Sequence, residues 1–415
     1  MTTATDRIPE QTSIGAREDE LIEELIEELR ATVEEEVTEG GSPARILRIR
    51  MPDGTHQVLK LQVEMPGAVD GHDLESFRVK LRQIDKIRAD APALRDVYTE
   101  KLREFHGHDW SAYTMPYYPN EDIAASIRGE RPDVAEFFDR FDVTMSLLAR
   151  RGWSLEEVRS EPGQIAEIHA DRLTRRFWLL ERHLPREYTE RGHLIVNGVP
   201  CRHPLEIAEL LARRPELTRH VDATRLHFPA HGDLNTRNVL VTGREDGLPT
   251  VRIIDPRGTL QPWDLGYDWG KVLFSLTVWD AGLREGFEID TAGTDFAREV
   301  SVHQRGGLYP GYREAARGLV DAISDHEDLA PLVAGDPGWR SRLLLGHGFH
   351  LLAEAACRLS DIKKRASTVG SIDLSPIELA GGHYLLGVLF LENAVAQLEE
   401  NGEIDPVTHL NLLDL

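Results

Sequence analysis

His231-Gly232-Asp233-Leu234-Asn235-Thr236-Arg237-Asn238 is a polar loop, followed at once by the apolar run Val239-Leu240-Val241. A second, largely apolar run, Val251-Arg252-Ile253-Ile254, ends in the carboxylate of Asp255. The two runs read as short strands of a hairpin joined through residues 242–247, where Asp246-Gly247 is the strongest turn signal. Closing that hairpin brings Asp255 back beside Asp233 and Asn238. Two oxygen ligands next to a carboxylate able to act as a base suit a Mg²⁺–nucleotide site, because Mg²⁺ takes a few hard oxygens together with phosphate and water.

The chain around this loop has 415 residues, more than one compact core usually needs, so two lobes are expected. A hydrophobic fraction of 41% and a charged fraction of 29% lie in the globular range. No apolar run is expected to reach the roughly 20 residues that span a bilayer. Met1-Thr2-Thr3-Ala4-Thr5-Asp6 has neither a basic head nor an apolar core, so no secretory signal is expected. Cys201 and Cys357 are far apart, which favours a cytoplasmic protein with free thiols over a disulfide framework. The formal net charge of −23 argues against nucleic acid or an anionic membrane as partner. It favours a cationic ligand, although much of it sits in one N-terminal run and serves solubility equally well.

Residues 1–17 are polar and aperiodic and are expected to be a flexible tail. From Glu18 to Glu36, Leu21, Ile22, Leu25, Ile26, Leu29 and Val33 recur at helical spacing between glutamates, predicting an acidic amphipathic helix packed on its own domain. Gly40-Gly41-Ser42-Pro43 then precedes the alternating run 45–50, the turn Pro52-Asp53-Gly54 and the run 57–61, which together predict a β-hairpin. Gly41 and Ser42 could let backbone N–H groups approach phosphate, or open an ordinary hairpin. Leu74, Phe77, Leu81 and Ile84 predict a helix over residues 73–87, and residues 95–98 and 110–115 read as strands. Residues 131–150, 161–184, 204–214, 311–325, 338–365 and 376–400 are helical by periodicity. His347, His350 and His383 lack a Cys or carboxylate at ligand spacing and are expected to be core or interface residues rather than metal ligands.

The loop 231–238 and the strand ending in Asp255 resemble the catalytic core of kinase-fold phosphotransferases, specifically the aminoglycoside phosphotransferase/choline kinase-like family. That family carries a His-x-Asp-x-x-x-x-Asn loop and a downstream strand ending in Asp. Trp263-Asp264-Leu265-Gly266-Tyr267-Asp268-Trp269-Gly270-Lys271 is similar to its Gly-Asp-x-x-Tyr-Asp-Leu-Ala segment, and Tyr113-Thr114-Met115-Pro116-Tyr117-Tyr118-Pro119-Asn120 to its interlobe linker. The resemblance implies an α+β, bilobal protein kinase-like fold. A small antiparallel-sheet N-lobe would cover residues 18–115, a hinge 116–120, and a large, mostly helical C-lobe 121–415, with acceptor-binding helices at its C-terminal end.

The resemblance also implies roles. Asp233 would accept the proton of the acceptor hydroxyl, Asn238 and Asp255 would hold Mg²⁺, and Lys60 would contact the α/β-phosphates of ATP (or GTP). His231 would brace the loop, and Asp268 would start a helix and tie the loop down. Glu75, chosen by position over Glu64, would pair with Lys60. Met115 and Tyr117 would flank the adenine edge, where Pro116 has no N–H to donate. Arg257 could stabilise transferred charge, hold the acceptor or pair with Asp264. The implied activity is a small-molecule kinase acting on a hydroxyl of a sugar, aminoglycoside, aminocyclitol or amino alcohol. From Gly258 the chain runs almost directly to Trp263, leaving little room for a protein-substrate platform. A protein kinase-like enzyme or a nucleotide-binding regulatory module is the alternative.

Overall fold

Alternation along one buried strand sets the layering of the first lobe. The computed structural model describes residues 8–37, 44–65, 71–119, 121–153, 155–294, 297–307, 309–360, 367–369 and 372–415. Strands β1 (Thr32–Glu36), β2 (Arg45–Arg50), β3 (His56–Val63), β4 (Arg103–His106) and β5 (Trp110–Pro116) form an antiparallel sheet in the order β1-β2-β3-β5-β4. On one face, Leu59, Leu61 and Val63 of β3 meet Leu21, Leu25 and Leu29 of helix α1 (Ile8–Leu29). On the other, Val58 packs with Phe77, Leu81 and Ile84 of α2 (Leu74–Asp90). Strand side chains alternate, so Lys60 shares the face of Val58 and looks into the space beneath the sheet.

Several expectations for this lobe are corrected. Helix α1 begins at Ile8, inside the expected flexible tail, and stops at Leu29 rather than Glu36. Arg30 adopts a left-handed φ of 52°. The N–H groups of Arg30 and Ala31 then bond the carbonyls of Glu27 (3.0 Å) and Ile26 (3.1 Å), the Schellman pattern that closes a helix. Beyond it, β1 is an exposed edge strand whose Glu36 and Glu34 meet Arg45 and Arg48 of β2 at 2.5 and 3.1 Å. Cross-strand charge pairing thus overrides the helical period. Residues 95–98 make a single bridge, Tyr98 to Ile253, after a short turn at Pro92–Leu94. Val97 and Tyr98 are both buried, which a one-sided strand cannot achieve. The strand that does form, β4, is a charged edge with no apolar period to announce it. Gly41 and Ser42 lie outside the described residues.

The second lobe packs α3 (Val134–Leu148), α4 (Asp171–His183), α5 (Leu265–Phe274), α6 (Trp339–Ser360) and α7 (Pro376–Asn401) around one apolar core. Contrary to expectation, α7 is long and apolar enough to cross a membrane, but 89% of its apolar window is buried in this core. His347 lies in the same core between Thr277 Oγ1 (2.6 Å) and His409 (3.1 Å), and His383 Nδ1 meets the carbonyl of Leu379 at 2.7 Å. A short strand, β6 (Glu121–Asp122), pairs with the hairpin of β7 (Val239–Glu245) and β8 (Leu248–Ile253). The hairpin turns on Asp246 and Gly247 alone, both at positive φ, a tighter connection than the six residues expected.

Arg342 of α6 is buried between Asp264 (2.8 Å) and Asp336 (3.1 Å). Asp264 also caps α5 by accepting the N–H of Gly266 at 2.9 Å. Removing one partner of a buried ion pair leaves the other charges uncompensated. Arg342→Met is expected to cost about 3–5 kcal/mol of stability, read from the denaturant midpoint. A loss below about 1 kcal/mol would mean that the two aspartates are resolvated without it.

Candidate active site

The loop 231–238 is held by its surroundings. Asp268, in the first turn of α5 and fully buried, accepts the N–H groups of His231 and Gly232, each at 2.7 Å. It does not start the helix, as expected of it; Asp264 does. Burial pushes the Asp268 carboxyl up to about 7, against the pull of those N–H groups and with nearby Asp233 adding to the rise. Gly232 has φ +78°, and a Cβ there would lie 2.6 Å from Thr259 Oγ1 and 2.9 Å from Arg257 Cβ. No other residue fits this position. His231 Nδ1 accepts the N–H of Asp233 (3.1 Å), so its Nε2 donates to the carbonyl of Ile254 (2.9 Å). Burial lowers its pKa, which keeps the ring neutral. At the far end, Arg237 Nε bonds Asp280 at 2.6 Å, and the N–H of Thr236 bonds Ser275 Oγ at 3.2 Å.

Two residues beyond β8, Asp255 takes a left-handed φ of 57°, a region that Asp tolerates better than most residues. Its Oδ1 lies 3.4 Å from Lys60 Nζ and 3.8 Å from Lys80 Nζ. Burial would raise its pKa, but the two lysines outweigh this and hold it low. Asn238 Nδ2 is spent on the carbonyl of Asp233 at 2.8 Å. Its Oδ1 and the second oxygen of Asp255 make no hydrogen bond among the described residues. Hard oxygens of this kind fit Mg²⁺.

The expected Lys60–Glu75 pair does not form. Glu75 lies in the exposed first turn of α2 and pairs with Arg82 at 2.6 Å. Lys80, five residues on and about 140° around the helix, faces the cleft instead. Glu64, the other candidate, is exposed just past β3. The third option for Arg257 also fails: Asp264 holds Arg342, and Arg257 hydrogen-bonds Tyr267 Oη.

Two side chains were not anticipated. Lys271 of α5 is buried, with Nζ 3.0 Å from Asp233 Oδ1. Burial would raise the Asp233 carboxyl, but Lys271 outweighs it and holds Asp233 well below the usual carboxylate range. Gln83 of α2 is fully buried. Its Nε2 donates to the carbonyl of Ala230 (2.8 Å), and its Oε1 accepts the N–H groups of Gly258 (2.5 Å) and Thr259 (2.7 Å). The available signal was a polar residue on a largely apolar helix, and a lysine closing a family-like segment. Neither names a partner.

Lys80, Gly232, Asp255, Arg257 and Lys271 are among the residues that line a cavity of about 330 Å³ between the lobes, with Gln83, His231 and Asp268 behind its wall. Ile46, Val58, Met115 and Tyr117 line its sheet side, and Leu240 of β7 with Arg172, Arg257, Lys271, Trp279 and Glu354 its second-lobe side. Lys60, Asp233, Asn238 and Asp255 lie between. Met115 is buried in β5, while the N–H of Tyr117 is taken by the carbonyl of His56 at 3.1 Å. Neither Pro116 nor Tyr117 therefore offers an N–H to a ring on this wall.

Lys271→Met removes the ammonium that offsets burial at Asp233. The Asp233 carboxyl is then expected to titrate at least about one unit higher, by ¹³C NMR of the labelled carboxyl. An unchanged titration would show that Lys271 is not what keeps it ionised.

No family model and no curated protein matches this chain. Solved structures do. The chain is similar to a structure from Thermobifida fusca described as a fructosamine-3-kinase, at 14% identity, 89% of this chain and 96% of that one, with a TM-score of 0.43. It is similar to aminoglycoside phosphotransferase APH(4)-Ia in a ternary complex with AMP-PNP and hygromycin B, at 13% identity, 88% and 96% coverage and a TM-score of 0.44. A third is APH(3'')-Id from Streptomyces rimosus with ADP and streptomycin, at 16% identity, 57% and 78% coverage and a TM-score of 0.35.

Proposed function

We propose that the protein is a small-molecule kinase of the aminoglycoside phosphotransferase/choline kinase-like kind, moving the γ-phosphate of ATP or GTP to a hydroxyl. The observation that carries this reading is the convergence of Lys60, Asp233, Asn238 and Asp255 on one cleft between a small sheet and a helical lobe. Phosphoryl transfer asks a protein for positioning and charge neutralisation more than for covalent chemistry. The apolar sheet side takes the nucleotide base. Lys60 and Lys80, both beside Asp255, meet the phosphates once nucleotide enters. Asn238 and Asp255 hold Mg²⁺, which supplies positive charge to the phosphate oxygens.

Asp233, kept ionised by Lys271, orients the acceptor hydroxyl towards the phosphorus. A carboxylate with so low a pKa is a weak base. It takes the proton late, when bond formation to phosphorus has already made the hydroxyl acidic. The neutral brace His231 and the ties from Asp268 keep that carboxylate aimed without ordering it at the moment of reaction.

The test is a nucleotide-consumption screen with Mg²⁺ and ATP or GTP against sugars, aminoglycosides, amino alcohols and nucleosides. Acceptor-dependent ADP or GDP release is expected, reduced by about 10²–10⁴-fold in Asp233→Asn and in Asp255→Asn. Undiminished turnover in both variants would refute the assignment. Nucleotide binding with no turnover on any acceptor would favour a regulatory module, and no nucleotide binding would end the reading altogether.

A further inference from the structure

The cavity is cationic, although the chain as a whole carries −23. Arg257 and Lys271 line its helical wall, and Lys60 and Lys80 enter it from the sheet lobe. Lys80 is held there by its helix. Two residues before it, Arg78 donates to Ser111 Oγ at 2.9 Å; three residues after it, Gln83 bonds Ala230, Gly258 and Thr259. Between these ties α2 presses on Gly258, where a Cβ would lie 3.0 Å from Val79 Cγ1 and 3.4 Å from the backbone N of Lys80. The main chain of Lys80 is thus fixed against the segment that carries Asp255. Its ammonium stands 3.8 Å from Asp255 Oδ1, and that of Lys60 stands 3.4 Å from the same oxygen. Among the described residues, Asp255 is the one carboxylate paired with either lysine.

Oxygen ligands in the cavity are correspondingly few. Among its described lining residues, Asp233, Asp255 and Glu354 carry the carboxylates. Glu354 pairs with Arg358 at 2.9 Å and accepts Trp279 Nε1 at 2.8 Å. Asp233 pairs with Lys271 at 3.0 Å. Asn235 Oδ1 accepts the N–H of Arg237 at 3.1 Å. Asn238 Oδ1 and the second oxygen of Asp255 are left, a set that suits one Mg²⁺, which completes its octahedron with phosphate and water. A second Mg²⁺ would need Asp255 Oδ1. Bonded there at about 2 Å, it would lie within about 6 Å of both ammonium groups, where like charges in a cleft repel. No group of three or more His, Cys, Asp or Glu side chains among the described residues offers another place for it.

Protein kinases use two Mg²⁺ ions to neutralise the charge that develops on the phosphates. We propose that this site works with one, and that the Lys80 ammonium stands in for the second by binding the phosphate oxygens directly. This rests on the phosphotransfer reading and separates the two lysines. Lys80 is a cation built into the protein where a second metal ion would otherwise be recruited from solution.

The test counts metal ions, with Mn²⁺ as the probe. Wild-type protein with one equivalent of AMP-PNP is titrated with Mn²⁺, and free Mn²⁺ is read from its EPR signal. One Mn²⁺ per protein–nucleotide complex is expected. Two per complex overturn the proposal and leave the phosphotransfer reading standing; failure to bind Mn²⁺–AMP-PNP at all overturns both. This count needs no variant, so it stands even where a substitution disturbs folding. Lys80→Met is then expected to bind AMP-PNP about 10-fold or more weakly at the Mn²⁺ concentration that saturates wild type. Higher Mn²⁺ is expected to restore much of that affinity as a second ion enters, and Lys80→Arg, which keeps the charge, to lose less. Unchanged affinity in Lys80→Met overturns the proposal, as does a loss that added Mn²⁺ leaves unaltered.

Discussion

Two N–H groups bonded to one buried carboxylate hold the site together. Asp268 receives the amides of His231 and Gly232, and by doing so fixes the peptide that precedes Asp233. With that peptide fixed, His231 can span from the Asp233 amide to the carbonyl of Ile254, and so couples the loop to the segment that carries Asp255. The two acidic groups of the site are positioned relative to each other through this chain of bonds. Its cost is a carboxylate out of water. The first turn of α5, where Asp268 sits, is the end of a helix at which negative charge is favoured.

What could be read from the sequence was local. The hairpin after Asn238 could be read because apolar runs and an Asp-Gly turn are contiguous, and the β2–β3 hairpin for the same reason. The long C-terminal helices could be read because their period repeats over many turns. The rest depended on partners distant in sequence. Nothing near Glu36 says that Arg45 lies across from it, so the acidic run reads as more helix. Nothing near Glu75 says that it faces water while Lys80 faces the cleft. Lys271 lies 38 positions from Asp233 in the chain, and its role follows from the angle at which α5 passes under the loop. Gln83 bonds backbone atoms, which have no sequence signature at all.

Charge shows the same separation of global from local. The acidic run at the N-terminus pairs with arginines along one edge of the sheet, far from the helical wall of the cavity. A strongly negative chain therefore encloses a positive pocket. Net charge describes how the surface as a whole meets solvent and other molecules; a ligand in a closed cleft responds to the few groups that touch it.

Gln83 has a mechanical consequence. Chain order assigns α2 to the sheet lobe, and Phe77, Leu81 and Ile84 pack it there through apolar contacts that have no preferred direction. Its polar attachments run both ways and are directional: Arg78 donates to Ser111 Oγ and to the carbonyl of Gly107 in the sheet lobe, each at 2.9 Å, while Gln83 bonds Ala230, Gly258 and Thr259. Any widening of the cleft must therefore break directional bonds on one side of α2 or bend the chain around it. As a moving part, the helix is a clasp fastened to both lobes, through Arg78 on one side and Gln83 on the other.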